Sequence, residues 1–245
     1  MAPVADRVWR LGDEIVNFYA VEEDGRLTIV DAGVPGFAGR LETDVAEIGF
    51  ALGDVEAVAL THADSDHTGL VPALQAAGAR VLVHEDAEAP LREPGPKGGD
   101  ARMTRLVPQL WRPSLWRLMI HFARLGAFRP PHVEGAETYG DDDVLDVPGR
   151  PRAIPTPGHA PGHTSLLLED RGVLLAGDAL CTLNPMTFER GPQLMPRGFN
   201  ASDAGAEASL AAVAGSGAQI VLVGHGEPWS AGAAEAVERA RAALR

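Results

Sequence analysis

Short apolar runs separated by Gly, Pro and Asp dominate the first third of the chain, which is the pattern of a strand-rich segment. Between two of these runs, EEDG (22–25) has the composition of a tight turn. The apolar spacing becomes helical in FAGRLETDVAEIG (37–49) and in GLVPALQAAG (69–78), where Pro72 falls in the first turn. The predicted strands are VWRL (8–11), IVNFYAV (15–21), RLTIVDAG (26–33), VEAVALTH (55–62) and ARVLVHED (79–86).

The same alternation returns after residue 140, and two helices follow it. A polar loop (184–200) precedes a helix that we expect to be capped by Ser202 or Asp203, and an Ala/Glu/Arg-rich helix comes last. Two strand-rich halves, each followed by helices, predict an α+β fold in which two sheets pack together with helices outside. We find no linker, so we expect a single domain over 1–245. The later predicted strands are DDVLDVPG (142–149), RPRAIPTPGH (150–159), HTSLLLED (163–170), GVLLAGDA (172–179) and QIVLVGHGEP (219–228).

A basic segment interrupts this pattern in the middle of the chain. Residues 92–129 hold eight Lys or Arg and two acidic residues, so their net charge is +6. Because the whole chain has a net charge of −13, the remaining residues together carry −19. Within it, MTRLVPQLWRPSLWRLMIHFARLG (103–126) predicts one or two amphipathic helices broken near Pro108 and Pro113. We interpret residues 90–132 as a basic helical lid inserted into the domain. A solvated cover, a homodimer contact and a substrate-binding surface are all compatible with this pattern.

The totals exclude several classes of protein. A net charge of −13 argues against nucleic acid as the main partner, because binding phosphates requires a basic face. The single cysteine, Cys181, excludes an intramolecular disulfide framework and is best interpreted as a small core residue. We see no signal-peptide pattern at the N-terminus and no apolar run that approaches roughly 20 residues, so we expect a cytoplasmic protein without a membrane span.

Residues of the kind that bind metal ions follow several predicted strands. The stretch LTHADSDHTG (60–69) gathers two histidines and two aspartates, and Thr-Pro-Gly-His159, Ala-Gly-Asp178 and Val-Gly-His225 end later strands. Loops at one rim of a sheet can bring such groups together, and imidazole and carboxylate are ligands for Zn²⁺, Fe²⁺ or Mn²⁺. A lone histidine after a strand is usually structural, but the joint occurrence predicts a metal centre.

The order of these motifs resembles the metallo-β-lactamase fold superfamily, and the similarity extends from the VDAG strand to the last histidine. The resemblance implies an αββα four-layer sandwich, with two mixed sheets face to face and one or two divalent ions between them. It implies that His62 and His159 serve a first metal, that Asp66, His67 and His225 serve a second, and that Asp178 bridges both. It also implies that Asp31 supports the site from behind, and that His163 either supports the site or faces the substrate without being a ligand.

Asp64 departs from the family pattern HxHxDH, because this chain has HxDxDH. A carboxylate there brings the formal charge of a two-metal centre with a hydroxide from about +1 to about zero. His62, Asp64 and His159 would then resemble a two-His-one-carboxylate set suited to iron or manganese. The family implies zinc, so zinc, iron and manganese all stay open, as does the alternative that Asp64 turns away from the metal.

The resemblance implies a dinuclear hydrolase in which a metal-bound hydroxide beside Asp66 attacks a small ester, thioester or lactone. The basic and aromatic side chains of the lid favour an anionic or amphiphilic small-molecule substrate. Two alternatives are a mono-iron oxygen-dependent enzyme similar to persulfide dioxygenases of this fold, and a non-catalytic binding relative. The candidate pocket residues are Trp111, Trp116, Phe188, Arg197 and Phe199.

Overall fold

The structure is a computed structural model that describes residues 1–95, 105 and 107–244. Its larger sheet is mixed and has the order β1-β2-β3-β4-β5-β6, with antiparallel pairs up to β3 and parallel pairs from β3 to β6. These strands are Val8–Gly12, Asn17–Glu23, Arg26–Val30, Val55–Ala59, Arg80–His84 and Glu137–Tyr139.

A second mixed sheet has the order β12-β9-β8-β7, in which only the β12–β9 pair is parallel. Its strands β7, β8, β9 and β12 are Arg152–Pro155, Thr164–Leu168, Val173–Gly177 and Ile220–Val223. A small antiparallel sheet pairs β10 (Cys181–Leu183) with β11 (Arg190–Gln193). Strand β11 lies inside the segment 184–200 that the sequence predicted to be a polar loop, and β10 directly precedes that segment. Strand β10 was missed because it holds only three residues, and β11 because its sequence, RGPQ, contains Gly and Pro, which favour turns.

Three apolar cores stack through the molecule and give it four layers. The middle core joins the two sheets, as Val21 and Leu166 show. One outer core joins the larger sheet to one group of helices and contains Leu41. The other outer core joins the smaller sheet to a second group of helices and contains Leu210. The αββα fold and its mixed sheets are confirmed. The helices α1 to α6 are Ala38–Glu47, Val71–Ala76, Glu85–Arg92, Pro113–Arg124, Asp203–Gly215 and Ala233–Ala242.

Most of the predicted elements lie where the sequence placed them, with Ser202 as the side-chain cap of α5. The prediction of a strand over 142–149 was wrong, since only an isolated bridge between Val144 and Arg152 forms there. The acidic run makes a turn instead: Asp143 accepts a hydrogen bond from the Gly140 N–H at 2.8 Å, and Asp142 has a φ of 61°. Helix α3 was also missed, because it follows β5 without any break.

In the basic segment, α4 begins at Pro113 and buries Leu115 and Leu118. A single 3₁₀ turn, Val107–Gln109, precedes it. The predicted helical start near Met103, together with Lys97 and Arg102, lies outside the described residues. Across the described part of the chain, every helix is too short or too polar to cross a bilayer.

Candidate metal centre

Five strands of the two sheets end at one rim of the sandwich, and each is followed by a polar side chain. Asp31 comes directly after β3 and Asp178 directly after β9, while the remaining groups stand in short loops after β4, β7 and β12. These loops carry His62, Asp64, Asp66 and His67 after β4, His159 after β7, and His225 after β12. The apolar strands are buried in the cores, so they fix these loops at the sheet rim.

Each of the four candidate histidine ligands has its Nδ1 atom engaged by an oxygen outside the cluster. The Thr61 hydroxyl donates to Asp31, so it accepts from Nδ1–H of His62 at 2.9 Å. The other three partners are Asp31 Oδ2 for His67 at 2.9 Å, Asn200 Oδ1 for His159 at 3.1 Å, and the Ile15 carbonyl for His225 at 2.5 Å. These bonds orient the rings and leave each Nε2 directed inward, as in a histidine that ligates a metal.

The inward Nε2 atoms form two groups with the carboxylates. His62, Asp64 and His159 make the first ligand triad, with Asp64 Oδ2 lying 3.5 Å from Nε2 of His62 and 3.2 Å from Nε2 of His159. Asp66, His67 and His225 make the second ligand triad.

Asp178 lies between the triads. Its Oδ2 is 3.3 Å from Nε2 of His159 and 3.2 Å from Nε2 of His225, and its Oδ1 is 3.5 Å from Nε2 of His67. One carboxylate therefore contacts both groups, in the position expected of a bridging ligand.

The donor set fits divalent cations. Two ligands about 2.0–2.1 Å from one tetrahedral ion stand roughly 3.3–3.4 Å apart, which matches the separations of 3.2 to 3.5 Å between these donor atoms. Nε2 of His62, Nε2 of His67 and Oδ1 of Asp178 are buried without a hydrogen-bond partner among the described residues. Buried polar atoms of this kind are costly unless something binds them, and a shared cation would bind all three.

The electrostatics of the site also favour positive charge. Burial opposes a charge on His67, but Asp31 and Asp178 outweigh it and raise the pKa of His67 to about 10. Burial likewise opposes a charge on His225, where Asp178 wins and raises the pKa to about 9. Burial would raise the pKa of Asp178, but His225 and His67 keep it well below its usual range. The carboxylates that favour a protonated imidazole here would equally favour a bound cation.

Asp31 and His163 lie behind the candidate ligands. Asp31 accepts hydrogen bonds from the Thr61 backbone N–H at 2.8 Å and from His67, and its φ of 61° is a conformation that aspartate tolerates. His163 donates from Nδ1 to the Thr156 carbonyl, and its Nε2 accepts from the Asp178 backbone N–H, each at 3.0 Å. Burial, followed by His62 and His159, holds the pKa of His163 well below its usual range, so the ring is neutral.

Sequence reasoning missed three supports of the centre. Asn200 and Ile15 are the Nδ1 partners described above. Fully buried Asn17 donates from Nδ2 to the carbonyls of Val223 at 3.0 Å and Gly226 at 2.6 Å, so it clamps the loop that carries His225. No local signal marks these residues, because their partners lie 41 to 210 positions away. Only the polar residue inside the apolar run IVNFYAV, at Asn17, could have drawn notice.

The candidate pocket residues line two grooves or pack on the larger sheet, and the candidate metal ligands line neither groove. Trp111 and Trp116 are exposed and line a groove beside α4, while Arg197 lines a second groove. Phe188 lies under the Arg117 guanidinium, 4.6 Å from it, and Phe199 packs against the outer core of the larger sheet.

Known proteins match this sequence and fold over most of its length. The family model described as the metallo-beta-lactamase superfamily matches residues 11–225. The Bacillus subtilis protein YflN, described as "Probable metallo-hydrolase", is 28% identical over 234 residues, which are 89% of this chain and 83% of YflN.

An uncharacterised protein of the same organism, YobT, is 33% identical over 166 residues, which are 67% of this chain. The match spans 61% of YobT, so this chain covers less than two thirds of that relative. Among solved structures, the metallo-beta-lactamase family protein TTHA1429 from Thermus thermophilus superposes with a TM-score of 0.67 at 28% identity, covering 98% of this chain and 81% of TTHA1429.

Proposed function

Because this chain belongs to the metallo-β-lactamase superfamily, whose fold binds divalent metals, we propose that it is a dinuclear metal-dependent hydrolase of a small ester, thioester or lactone. The observation that carries the proposal is the pair of ligand triads joined by Asp178. When bound, two divalent ions would acidify a water molecule and polarise the bond under attack.

The residues of the chain have separate parts in this proposal. His62, Asp64 and His159 would hold one ion, Asp66, His67 and His225 the other, and Asp178 would join them. Asp31, Thr61 and Asn200 keep the imidazole rings in place, so little reorganisation accompanies the reaction.

Asp66 is the candidate catalytic residue. Its Oδ2 lies 3.5 Å from Nε2 of His225, and its side chain is 12% exposed at the rim where a substrate would arrive. From there its carboxylate can orient a water molecule and accept a proton from it. The same carboxylate can return that proton to the leaving group.

Asp64 makes the choice of metal specific to this chain. The family favours zinc, whereas two histidines and a carboxylate in the first ligand triad favour iron or manganese. The same set supports a second candidate function, oxygen chemistry at a single iron, because such chemistry uses a two-His-one-carboxylate site with open positions.

Metal analysis by mass spectrometry on protein purified without added metal tests the proposal, using the natural chain and Asp64→His. We expect two ions per chain, and a shift from iron or manganese toward zinc in the variant. Hydrolysis of 4-nitrophenyl acetate, a thioester and a lactone should stop with a chelator and return with metal.

One iron per chain with oxygen consumption would favour the second candidate instead. Failure to retain metal even after reconstitution would refute both.

A further inference from the structure

A groove runs between α4 and the loop after β1, beside the metal centre. It encloses about 850 Å³, with Asp13, Glu14 and Ile15 on one wall and Trp116, Ile120 and Arg124 on the other. Ile15 links it to the centre, because the Ile15 carbonyl accepts the hydrogen bond from Nδ1 of His225. A molecule in the groove would therefore lie one residue layer away from the second ligand triad.

The groove has an apolar wall that the protein leaves uncovered. Trp111, Trp116 and Ile120 are 73%, 53% and 49% exposed, and residues 116 and 120 are neighbours on one face of α4. The Trp116 indole is held in place, since its Nε1–H donates to the Leu110 carbonyl at 2.8 Å. A fixed aromatic platform beside an exposed aliphatic side chain is suited to an apolar chain or ring.

The charges of the groove are divided between its two walls. Its two acidic residues stand on the wall after β1 and are paired: Asp13 with His121 at 3.0 Å, and Glu14 with Arg190. Arg117 and Arg124 on α4 make no ion pair with any carboxylate among the described residues, and Arg117 covers the Phe188 ring. The α4 wall is therefore cationic, and an anionic group of a ligand is complementary to that wall.

We propose that this groove binds the non-reacting part of an anionic amphiphile, with an apolar chain along Trp116 and Ile120 and a carboxylate at Arg124. Residues 116 and 124 are about 12 Å apart along the helix, and this distance sets the length of the ligand's apolar chain. The inference rests on the proposed hydrolase and narrows its substrate to medium-chain acyl compounds with a terminal carboxylate. Arg124 is then a specificity residue of the same site.

The test measures binding separately from hydrolysis. Tryptophan fluorescence and calorimetry on the metal-loaded full chain would compare octanedioate, octanoate and the neutral octyl glucoside. We expect octanedioate to bind best. Arg124→Gln should weaken it about three- to tenfold, the range for a partly exposed charge-assisted hydrogen bond. Arg129→Gln, on the same segment but outside the groove, is the matched control and should change nothing.

Kinetic measurements then test whether the groove contributes to substrate choice in hydrolysis at the metal centre. The 4-nitrophenyl monoester of octanedioate should have a higher kcat/KM than 4-nitrophenyl octanoate. Arg124→Gln should remove this preference, whereas Arg129→Gln should keep it. Equal binding of the charged and neutral probes, or equal losses in the Arg124 and Arg129 variants, would overturn the inference.

Two other occupants of the groove give distinct results, and either would overturn the inference. Binding to vesicles of anionic phospholipid with no preference among the soluble probes would indicate a membrane surface. A change of oligomeric mass in Trp116→Ala would indicate a contact between copies. Preferential octanedioate binding with no metal-dependent hydrolysis would instead count against the proposed function alone.

Discussion

The two ligand triads contain the same donors, two histidines and one aspartate, but the protein supports them differently. In the second triad, His67 rests on the carboxylate of Asp31 and His225 on the backbone carbonyl of Ile15. In the first triad, the supports are two neutral side-chain oxygens, those of Thr61 and Asn200.

A carboxylate behind an imidazole makes it a stronger ligand than a neutral oxygen does, and a backbone carbonyl fixes a ring more rigidly than a loop side chain. The aspartates differ as well, since the side chain of Asp64 is 22% exposed and that of Asp66 is 12% exposed. We infer that the second triad holds its ion more tightly, whereas the first is the adaptable part of the centre. If the histidines of both triads had the same hydrogen-bond partners, the structure would give no reason to expect different metal affinities.

The largest effect is expected from Asp178→Asn, because among the described residues this carboxylate is the candidate ligand that contacts both triads. We expect metal affinity at both positions to fall by more than the roughly 10- to 100-fold that loss of a supporting residue causes. Chelator competition followed by metal counting measures it. If only one ion is lost, Asp178 does not bridge.

Gly224→Ala tests whether metal binding at the second triad requires the space that is left because Gly224 has no side chain. A Cβ atom at this position would lie 2.3 Å from Asp178 Oδ1 and 2.7 Å from Cε1 of His67. We expect loss of metal from the second triad first and a destabilisation of about 1–3 kcal/mol from overpacking. Gly215→Ala, which meets open space in α5, is the control. Equal unfolding temperatures and metal contents in the two variants would refute the prediction.

Asp31→Asn should weaken the second triad more than the first, because it replaces the charged partner of His67 by a neutral one and reaches His62 only through the Thr61 hydroxyl. The expected loss of affinity at the second triad is about 10- to 100-fold, with a smaller loss at the first. Titration of the two ions by calorimetry separates them. Asp142→Asn has the same left-handed φ of 61° at an exposed turn, so it controls for the backbone effect. Similar losses at both triads would remove the asymmetry that we infer.

The smallest effect is expected from Asn200→Ala, which removes the neutral partner of His159. Its oxygen lies 3.1 Å from Nδ1 of His159, and we expect about a tenfold loss at the first triad, the low end for a supporting residue. Asn184→Ala loosens the same loop without touching a ligand, so it should leave metal affinity unchanged. A larger loss here than in Asp31→Asn would reverse the order of the two triads.

The ligand clusters could be predicted from sequence because each follows a buried apolar strand. Asp178 and His225 stand beside glycines at the ends of such strands, and the structure brings them together. Their roles as ligands remain predictions until metal is measured. The sandwich could be predicted for the same reason, since burial dictates the composition of its strands.

The supports of the ligands could not be predicted, because they arise only when distant segments meet. Nothing near Asn200 in the sequence indicates that it lies behind His159, and a backbone carbonyl such as that of Ile15 has no signature at all. Strands β6 and β10 were missed because three residues are too few to show a period, and β11 because its sequence, RGPQ, contains the turn-forming residues Gly and Pro.

The clamp made by Asn17 has a consequence for biosynthesis. It joins β2 to the loop after β12, more than 200 positions later, so a nascent chain displays HADSDH long before His225 can be set in place. Contacts of such long range form late in folding. Metal loading at the second triad would therefore depend on completion of the fold. Each tenfold excess of free metal over its dissociation constant would then add about 1.4 kcal/mol to the stability of fully folded chains.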